Sequence, residues 1–228
     1  LSTDRFKTGD EYAVLIANLL SLYKADPAEI EGAILSSVVP PLKRAISEAI
    51  RIVTGQSCMV VGSGIKTGLN IQIDNPAQLG SDRVVDAVAA LAEYKPPIMI
   101  FDLGTATTVS VIDRGGSYIG GMIIPGIMVA LDALSSRTAQ LPRIGLELPR
   151  RMIGANTEDC MKSGIVCSSA AAIDGLIDRL SEEVDGDVTV VATGGVAEKI
   201  IPHCRRKIIR DDDLVLKGLE ITYRKNCR

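Results

Sequence analysis

An α/β fold in two lobes, with mixed sheets flanked by helices, is what three features of this 228-residue sequence predict. Runs of strand length rich in Val, Ile and Thr alternate with amphipathic stretches of helical length on both sides of Lys95-Pro96-Pro97. Residues 98–126, IMIFDLGTATTVSVIDRGGSYIGGMIIPG, read as strand, tight turn, strand and third strand in succession. A hydrophobic content of 46% is enough for a sizeable core. The break at the proline pair assigns residues 1–95 to the first lobe and 96–228 to the second.

The elements follow in order. Thr8 with Glu11 makes a capping box for a helix over 11–23, whose Val14, Leu15, Leu19 and Leu22 fall on one face. A turn at 25–29 leads to a strand over 32–39, closed by Pro40-Pro41, where the second proline can start a helix over 42–53. Gly55-Gln56 ends that helix ahead of a short strand, CMVVG. Residues 65–80 read as loop before the helix SDRVVDAVAALAEY, which Ser81 can cap. After the central hairpin, a strand over 117–126 contains Gly120-Gly121, costly there unless a ligand or another backbone comes close. A helix over 127–141, a loop over 142–156 and a long helix over 158–184 capped by Thr157 come next. The small residues of that long helix suit close helix packing, in a core or at a subunit interface. The last unit is a strand over 188–192, Thr193-Gly194-Gly195 and a helix from Val196. The charge run 205–213 is expected to be a solvated loop.

Composition narrows the function. There is no Trp and there are two Phe, so a stacking platform for exposed bases is not expected. A net charge of −3 with interspersed signs leaves no electrostatic footprint for nucleic acid or an anionic membrane. Five cysteines without a C-x-x-C pattern indicate reduced thiols. One histidine, His203 in a basic loop, removes His-rich metal sites and leaves acid–base work to carboxylates. No run approaches the roughly 20 apolar residues of a membrane span and no signal peptide is visible, so a cytoplasmic protein acting on a small molecule is expected.

Two places carry chemistry. Asp102 ends an apolar strand at the turn Leu103-Gly104-Thr105, and Thr105, Thr107 and Thr108 add hydroxyls. Glycine lets backbone N–H groups approach phosphate oxygens, and the carboxylate can hold a cation, so the turn reads as a phosphate-and-cation cradle. An ordinary hairpin whose Asp and Thr side chains satisfy turn N–H groups is the competing reading. In the first turn of the helix over 81–94, Asp82 complements the helix dipole, whereas Arg83 opposes it and calls for an anion to meet.

LGSDR at 79–83, DLGTATT at 102–108, GGMIIPG at 120–126, GANT at 154–157 and TGG at 193–195 together resemble the type III pantothenate kinases. That bacterial family is also known by the Bvg accessory factor name and belongs to the acetate and sugar kinase, Hsc70 and actin superfamily. The resemblance implies a ribonuclease H-like, actin-like ATPase fold. It implies ATP-dependent phosphorylation of pantothenate, with Asp82 as proton acceptor and Gly80, Ser81 and Arg83 in the pantothenate motif, Arg83 meeting the substrate carboxylate. It further implies a monovalent cation, potassium or ammonium, at Asp102, ATP phosphate at Gly104 and Thr105, adenosine at Gly194 and Gly195, magnesium arriving with ATP, substrate contact by Thr157, and a homodimer.

Two departures accompany it. The residue before Asp74-Asn75-Pro76, commonly a substrate-contacting tyrosine in the family, is Ile73. The chain also opens at the equivalent of a later point, Ser2-Thr3-Asp4-Arg5, ahead of which the family carries a strand-loop-strand unit of about 20 to 30 residues with the first phosphate loop D-x-G-N-[ST]. The first lobe is therefore expected to be truncated, with ATP binding and activity affected more than pantothenate binding. The alternatives are a non-catalytic pantothenate- or nucleotide-binding relative, and another superfamily member such as a polyphosphate phosphatase or sugar kinase. The latter gives no reason for G-S-D-R to precede Asp102 by 20 residues.

Overall fold

The computed structural model describes residues 3–138, 140–184 and 186–227. Ser2 of the opening segment, Ala139 of the helix expected over 127–141 and position 185, just past the helix expected to 184, lie outside them. The described chain forms two compact units, one of Leu1–Gly68, Ala77–Val88 and Val215–Arg228, the other of Leu69–Pro76 and Ala89–Leu214. The expected class, α/β with strands of mixed direction flanked by helices, is the one observed.

The first unit opens with α1 (Gly9–Leu22), held at its start by the expected capping box of Thr8 and Glu11. Such a cap is worth about 1 kcal/mol. Strands β1 (Ala33–Leu35) and β2 (Cys58–Val60) pair in parallel, and α2 (Pro40–Thr54) connects them with proline in its first turn and Gly55 at φ +71° closing it. The strand expected over 32–39 is thus only three residues long, since Ser37 Oγ turns the chain by accepting from the Val39 amide at 3.1 Å. The face of α1 also differs from expectation. Tyr12 and Ala13 are buried with Ala49 of α2 and flanked by Leu15, Ile16 and Ile46, while Val14 and Leu22 stay 61% and 72% exposed. The sequence offers α1 two apolar stripes, and the partner helix decides which one is covered.

Helix α3 (Ser81–Glu93) begins in the first unit, where it meets a helix the sequence reading missed, designated α7 (Leu214–Asn226). Gly218 makes the crossing possible, because a Cβ there would collide with the Val85 carbonyl.

The second unit is built on a six-stranded sheet. Its strands are β3 (Asn70–Ile71), β4 (Ile98–Leu103), β5 (Ala106–Ile112), β6 (Ser117–Pro125), β7 (Thr189–Thr193) and β8 (Ile209–Arg210), in the order β3-β6-β5-β4-β7-β8. The β4–β5 and β5–β6 pairs are antiparallel and the others parallel. The two-residue strands β3 and β8 lie in segments read from sequence as loop. A register shift at Val111/Ile112 explains one costly glycine without any ligand: Gly120, at φ +141°, sits beside the resulting bulge.

Helices α4 (Ile127–Arg137) and α5 (Thr157–Ser181) cover one face, with Phe101, Leu103 and Val109 of the sheet meeting Leu131, Ile165, Val166 and Ile173. At 25 residues α5 is long and apolar enough to cross a membrane, contrary to the reading of the sequence, yet its apolar side chains serve this core. The helix expected from Val196, α6 (Ala197–Ile200), is a single turn. The start of the charge run is not free in solvent either, since Asp174 accepts from the Arg205 and Arg206 amides at 2.8–3.0 Å and Asp178 pairs with Arg206.

Burial, with the nearby Asp174 carboxylate, pushes the Cys204 thiol up to about 11. Its thiolate is scarce at pH 8, so alkylation there is expected to run about a hundredfold slower than at the exposed Cys160 in a mass-spectrometric time course. Equal rates would contradict the packing described.

Candidate functional site

The phosphate-type cradle expected at 102–108 is built by three strand ends. Met99, Phe101 and Leu103 of β4 point into the helix-covered core, which leaves Asp102, half-buried, on the opposite face. In the β4–β5 register Asp102 stands opposite Thr108, and in the β4–β7 register opposite Thr193. Gly104 and the exposed Thr105 form the turn between β4 and β5. A Cβ on Gly104 would lie 3.3 Å from Asp102 Oδ1, so the carboxylate folds along the inside of the turn.

Two further glycines press against that turn. Gly194 leaves β7 at φ +98°, and a Cβ there would lie 2.5 Å from Asp102 Oδ1 and 2.6 Å from Leu103 N. The Val196 amide donates to the Leu103 carbonyl at 3.4 Å and the Ala197 amide to the Gly194 carbonyl at 3.0 Å, tying the two strand exits together. Gly126, at the end of β6, sits so close to Thr105 that any Cβ would overlap the Thr105 carbonyl. Gly195 is exposed and has open space where a Cβ would go. Asp102, Gly104, Thr105, Gly194 and Gly195 are therefore gathered at one end of one sheet, where ligands of open α/β sheets bind.

One expected hydroxyl is absent from the cradle. Thr107 is 6% exposed on the core face, because successive strand residues alternate and Thr108 takes the face shared with Asp102. Thr193, which the sequence reading did not single out beyond its TGG motif, is 3% exposed opposite Asp102. Its position as the last residue of a parallel strand is the signal that marks it.

The second expected group lies in the first unit. Gly80 precedes α3, and Ser81, Asp82 and Arg83 are its half-buried first residues. Asp82 Oδ1 accepts from the Arg83 amide at 2.8 Å, and the carboxylate bends back over Gly80, where a Cβ would overlap Oδ1. Ser36, just past β1, donates to Ser81 Oγ at 2.8 Å. The sequence reading passed over Ser36, although a polar residue just past a parallel strand invites notice. Ile73, half-buried after β3, brings no side-chain hydrogen bond.

Thr157 is the exposed first residue of α5. It is not the cap: Asn156 Oδ1 accepts from the Asp159 amide at 2.8 Å. Lys162 bridges Glu147 and Glu158, which lifts its ammonium above the usual lysine range and holds the Glu147 carboxyl below its own.

Among the described residues no three His, Cys, Asp or Glu side chains cluster to hold a metal ion. The cradle offers one carboxylate with hydroxyl and carbonyl oxygens. That donor set fits a weakly held monovalent cation, or an ion shared with a ligand's own oxygens, rather than a divalent ion caged by protein.

Comparison with known proteins bears on the whole chain. The type III pantothenate kinase family model matches residues 1–179. A type III pantothenate kinase of an Exiguobacterium species is 44% identical over 226 residues, which span 99% of this chain and 89% of the relative. One from Listeria welshimeri is 42% identical, over 99% of this chain and 87% of the relative. Among solved structures, the ethanolamine utilization protein EutJ from Carboxydothermus hydrogenoformans shares the fold at a TM-score of 0.51 and 12% identity, over 96% of this chain and 78% of its own. With the family model over more than half of its length and relatives above 40% identity over 99% of it, this chain belongs to the type III pantothenate kinase family.

Proposed function

We infer that this protein transfers the γ-phosphoryl group of ATP to the terminal hydroxyl of pantothenate, giving 4′-phosphopantothenate, the first step of coenzyme A biosynthesis. Membership of the family across nearly the whole chain is the observation that carries this reading. Nothing favours the non-catalytic alternative.

In the proposed chemistry the pantothenate hydroxyl oxygen bonds to the γ-phosphorus while the bond from that phosphorus to the β,γ-bridging oxygen breaks, and ADP leaves. The hydroxyl proton passes to Asp82. The hydroxyl sheds its proton late in a loose transition state, as its oxygen bonds to phosphorus. Arg83 takes the pantothenate carboxylate, with Gly80 and Ser81 shaping that motif. Two things support this assignment: the half-buried carboxylate is already oriented by the Arg83 amide, and a cation in a first helical turn gains from an anionic ligand.

On the ATP side, Gly104 and Thr105 meet phosphate, Gly194 and Gly195 meet the adenosine end, and Asp102 holds a monovalent cation, potassium or ammonium, that offsets phosphate charge. Magnesium arrives on ATP. In support, Gly195 is exposed with open space beside it at a strand end, and the cradle's donor set suits a weakly held cation.

We further propose a homodimer working in the bacterial cytoplasm, with Thr157 reaching substrate from its exposed position. The apolar side chains left exposed on β6 and α4, including Ile123 at 72% and Val129 at 47%, support such an interface. The domain division at 95/96 belongs to the same reading.

Isothermal titration with pantothenate, and separately with Mg-ATP in potassium buffer, tests the division of labour. Arg83→Ala is expected to weaken pantothenate binding at least tenfold and leave ATP binding within twofold, as loss of a charge-assisted contact requires. Equal pantothenate affinity in wild type and Arg83→Ala would remove Arg83 from the substrate site.

A further inference from the structure

The last residue of β7, Thr193, carries a hydroxyl that the packing around it does not explain. Val190 and Ala192 point into the core beneath α5, so Thr193 falls on the opposite face, the one that Asp102 takes on β4. It is 3% exposed, and among the described residues nothing hydrogen-bonds to its hydroxyl. Thr107, on the other face, gives the comparison: its Oγ1 is also without a partner but is sealed in the core, whereas Thr193 Oγ1 is not sealed. The strand reads TVVAT, and a valine at its end would have the same shape with no polar atom to desolvate. A hydroxyl held there at that cost, and open on the side of a carboxylate, points to a ligand.

The neighbours decide which ligand. Asp102 Oδ1 leans towards β7, since it lies 2.5 Å from where a Cβ on Gly194, the residue after Thr193, would stand. Adjacent strands are about 4.8 Å apart, so oxygens of register partners can contact one ion between them. A carboxylate repels a phosphate oxygen at that range, and the shared ligand is therefore a cation. Asp211, the acid beyond β7, is already engaged by the Tyr94 hydroxyl at 2.8 Å and the Asp213 amide at 3.2 Å.

We propose that Thr193 Oγ1 is a second ligand atom, with Asp102 Oδ1, for the monovalent cation, and that it sets the preference of the site for potassium over sodium. The inference rests on the cation role given to Asp102 above. One charged and one neutral oxygen attract too weakly to strip a tightly hydrated ion such as sodium or magnesium. Potassium is larger and loses its water at less cost. Without the hydroxyl the carboxylate stands alone, the ion keeps a water in place of the protein oxygen, and both affinity and discrimination fall.

Thermal melts test this, with choline chloride replaced stepwise by potassium or sodium chloride at constant ionic strength, with Mg-ADP and without it. Wild type is expected to gain stability saturably in potassium and to gain less in sodium. Thr193→Val is expected to melt at or above wild type in choline, to need about ten times more potassium for half of the gain, and to lose most of the difference between the two ions. Thr193→Ser keeps the oxygen and is expected to respond as wild type does, and so is Thr107→Val, whose altered group lies in the core. Asp102→Asn separates the inference from the reading beneath it. A potassium response lost in Asp102→Asn but kept in Thr193→Val would overturn the role of Thr193 and leave the cation at Asp102. No potassium response in wild type, or one kept in Asp102→Asn, would overturn both. Thr193→Val melting well below wild type in choline would show that the hydroxyl serves the fold, and would also overturn the proposal.

Discussion

Asp82→Asn is expected to lower kcat by about three orders of magnitude while the protein folds and melts as before. Asparagine keeps the shape of the side chain and an oxygen able to accept from the Arg83 amide, the bond that Oδ1 makes at 2.8 Å. What it loses is the negative charge and the capacity to take a proton. Removing a positioned general base costs about 10² to 10⁴ in rate, and the loose transition state of phosphoryl transfer places the effect within that range rather than beyond it. The KM for pantothenate is expected to move only severalfold, because the charge contact proposed for Arg83 is left in place. A kcat within tenfold of wild type would show that Asp82 orients the hydroxyl without accepting its proton.

Gly194→Ala is expected to destabilise the protein by about 2 to 4 kcal/mol and, where it folds, to raise the KM for ATP more than tenfold. Two costs add. The backbone at φ +98° is strained for any residue with a Cβ, and that Cβ would stand 2.5 Å from Asp102 Oδ1 and 2.6 Å from Leu103 N. Neither neighbour can yield cheaply, since Leu103 is held in β4 between β5 and the loop after β7, and moving Asp102 disturbs the cradle itself. The adjacent Gly195→Ala provides the contrast. Its Cβ meets open space, so stability is expected to change by less than about 0.5 kcal/mol, and any rise in the KM for ATP would report contact with nucleotide alone. Thermal melts of the two variants side by side check this, and equal destabilisation would refute the packing argument.

The hairpin of β4 and β5 was legible in the sequence because an apolar run, a glycine turn and a β-branched run each favour the same structure. The capping box of α1 was legible for the same reason, as Thr8 and Glu11 reach each other without help from the rest of the fold. Elsewhere the deciding partner is distant in sequence. Strands β3 and β8 exist because β6 and β7 offer them an edge, and two residues carry no periodicity of their own. Which stripe of α1 is buried depends on α2, and Val14 and Leu22 lost to Tyr12 and Ala13.

The same distinction applies to the candidate site. Asp102 and its glycine turn could be read locally, and so could the ill-placed cation at Arg83. The gathering of Gly194 with Asp102 needs the parallel pairing of β7 on β4, and the close approach of Gly126 to Thr105 needs the path of β6. Thr107 and Thr157 show the converse limit. A hydroxyl near a turn is not thereby at its surface, and Asn156, one residue earlier, was the better-placed cap.

The central claim is the reaction, and the most direct test is to follow ADP formation from Mg-ATP in potassium buffer with pantothenate present, absent, or replaced by a panel of sugars, and to identify the phosphorylated product by phosphorus NMR. ADP release that depends on pantothenate, with a new phosphate monoester on its terminal hydroxyl, is the predicted result. ADP release indifferent to pantothenate, or phosphorylation of a sugar instead, would contradict it.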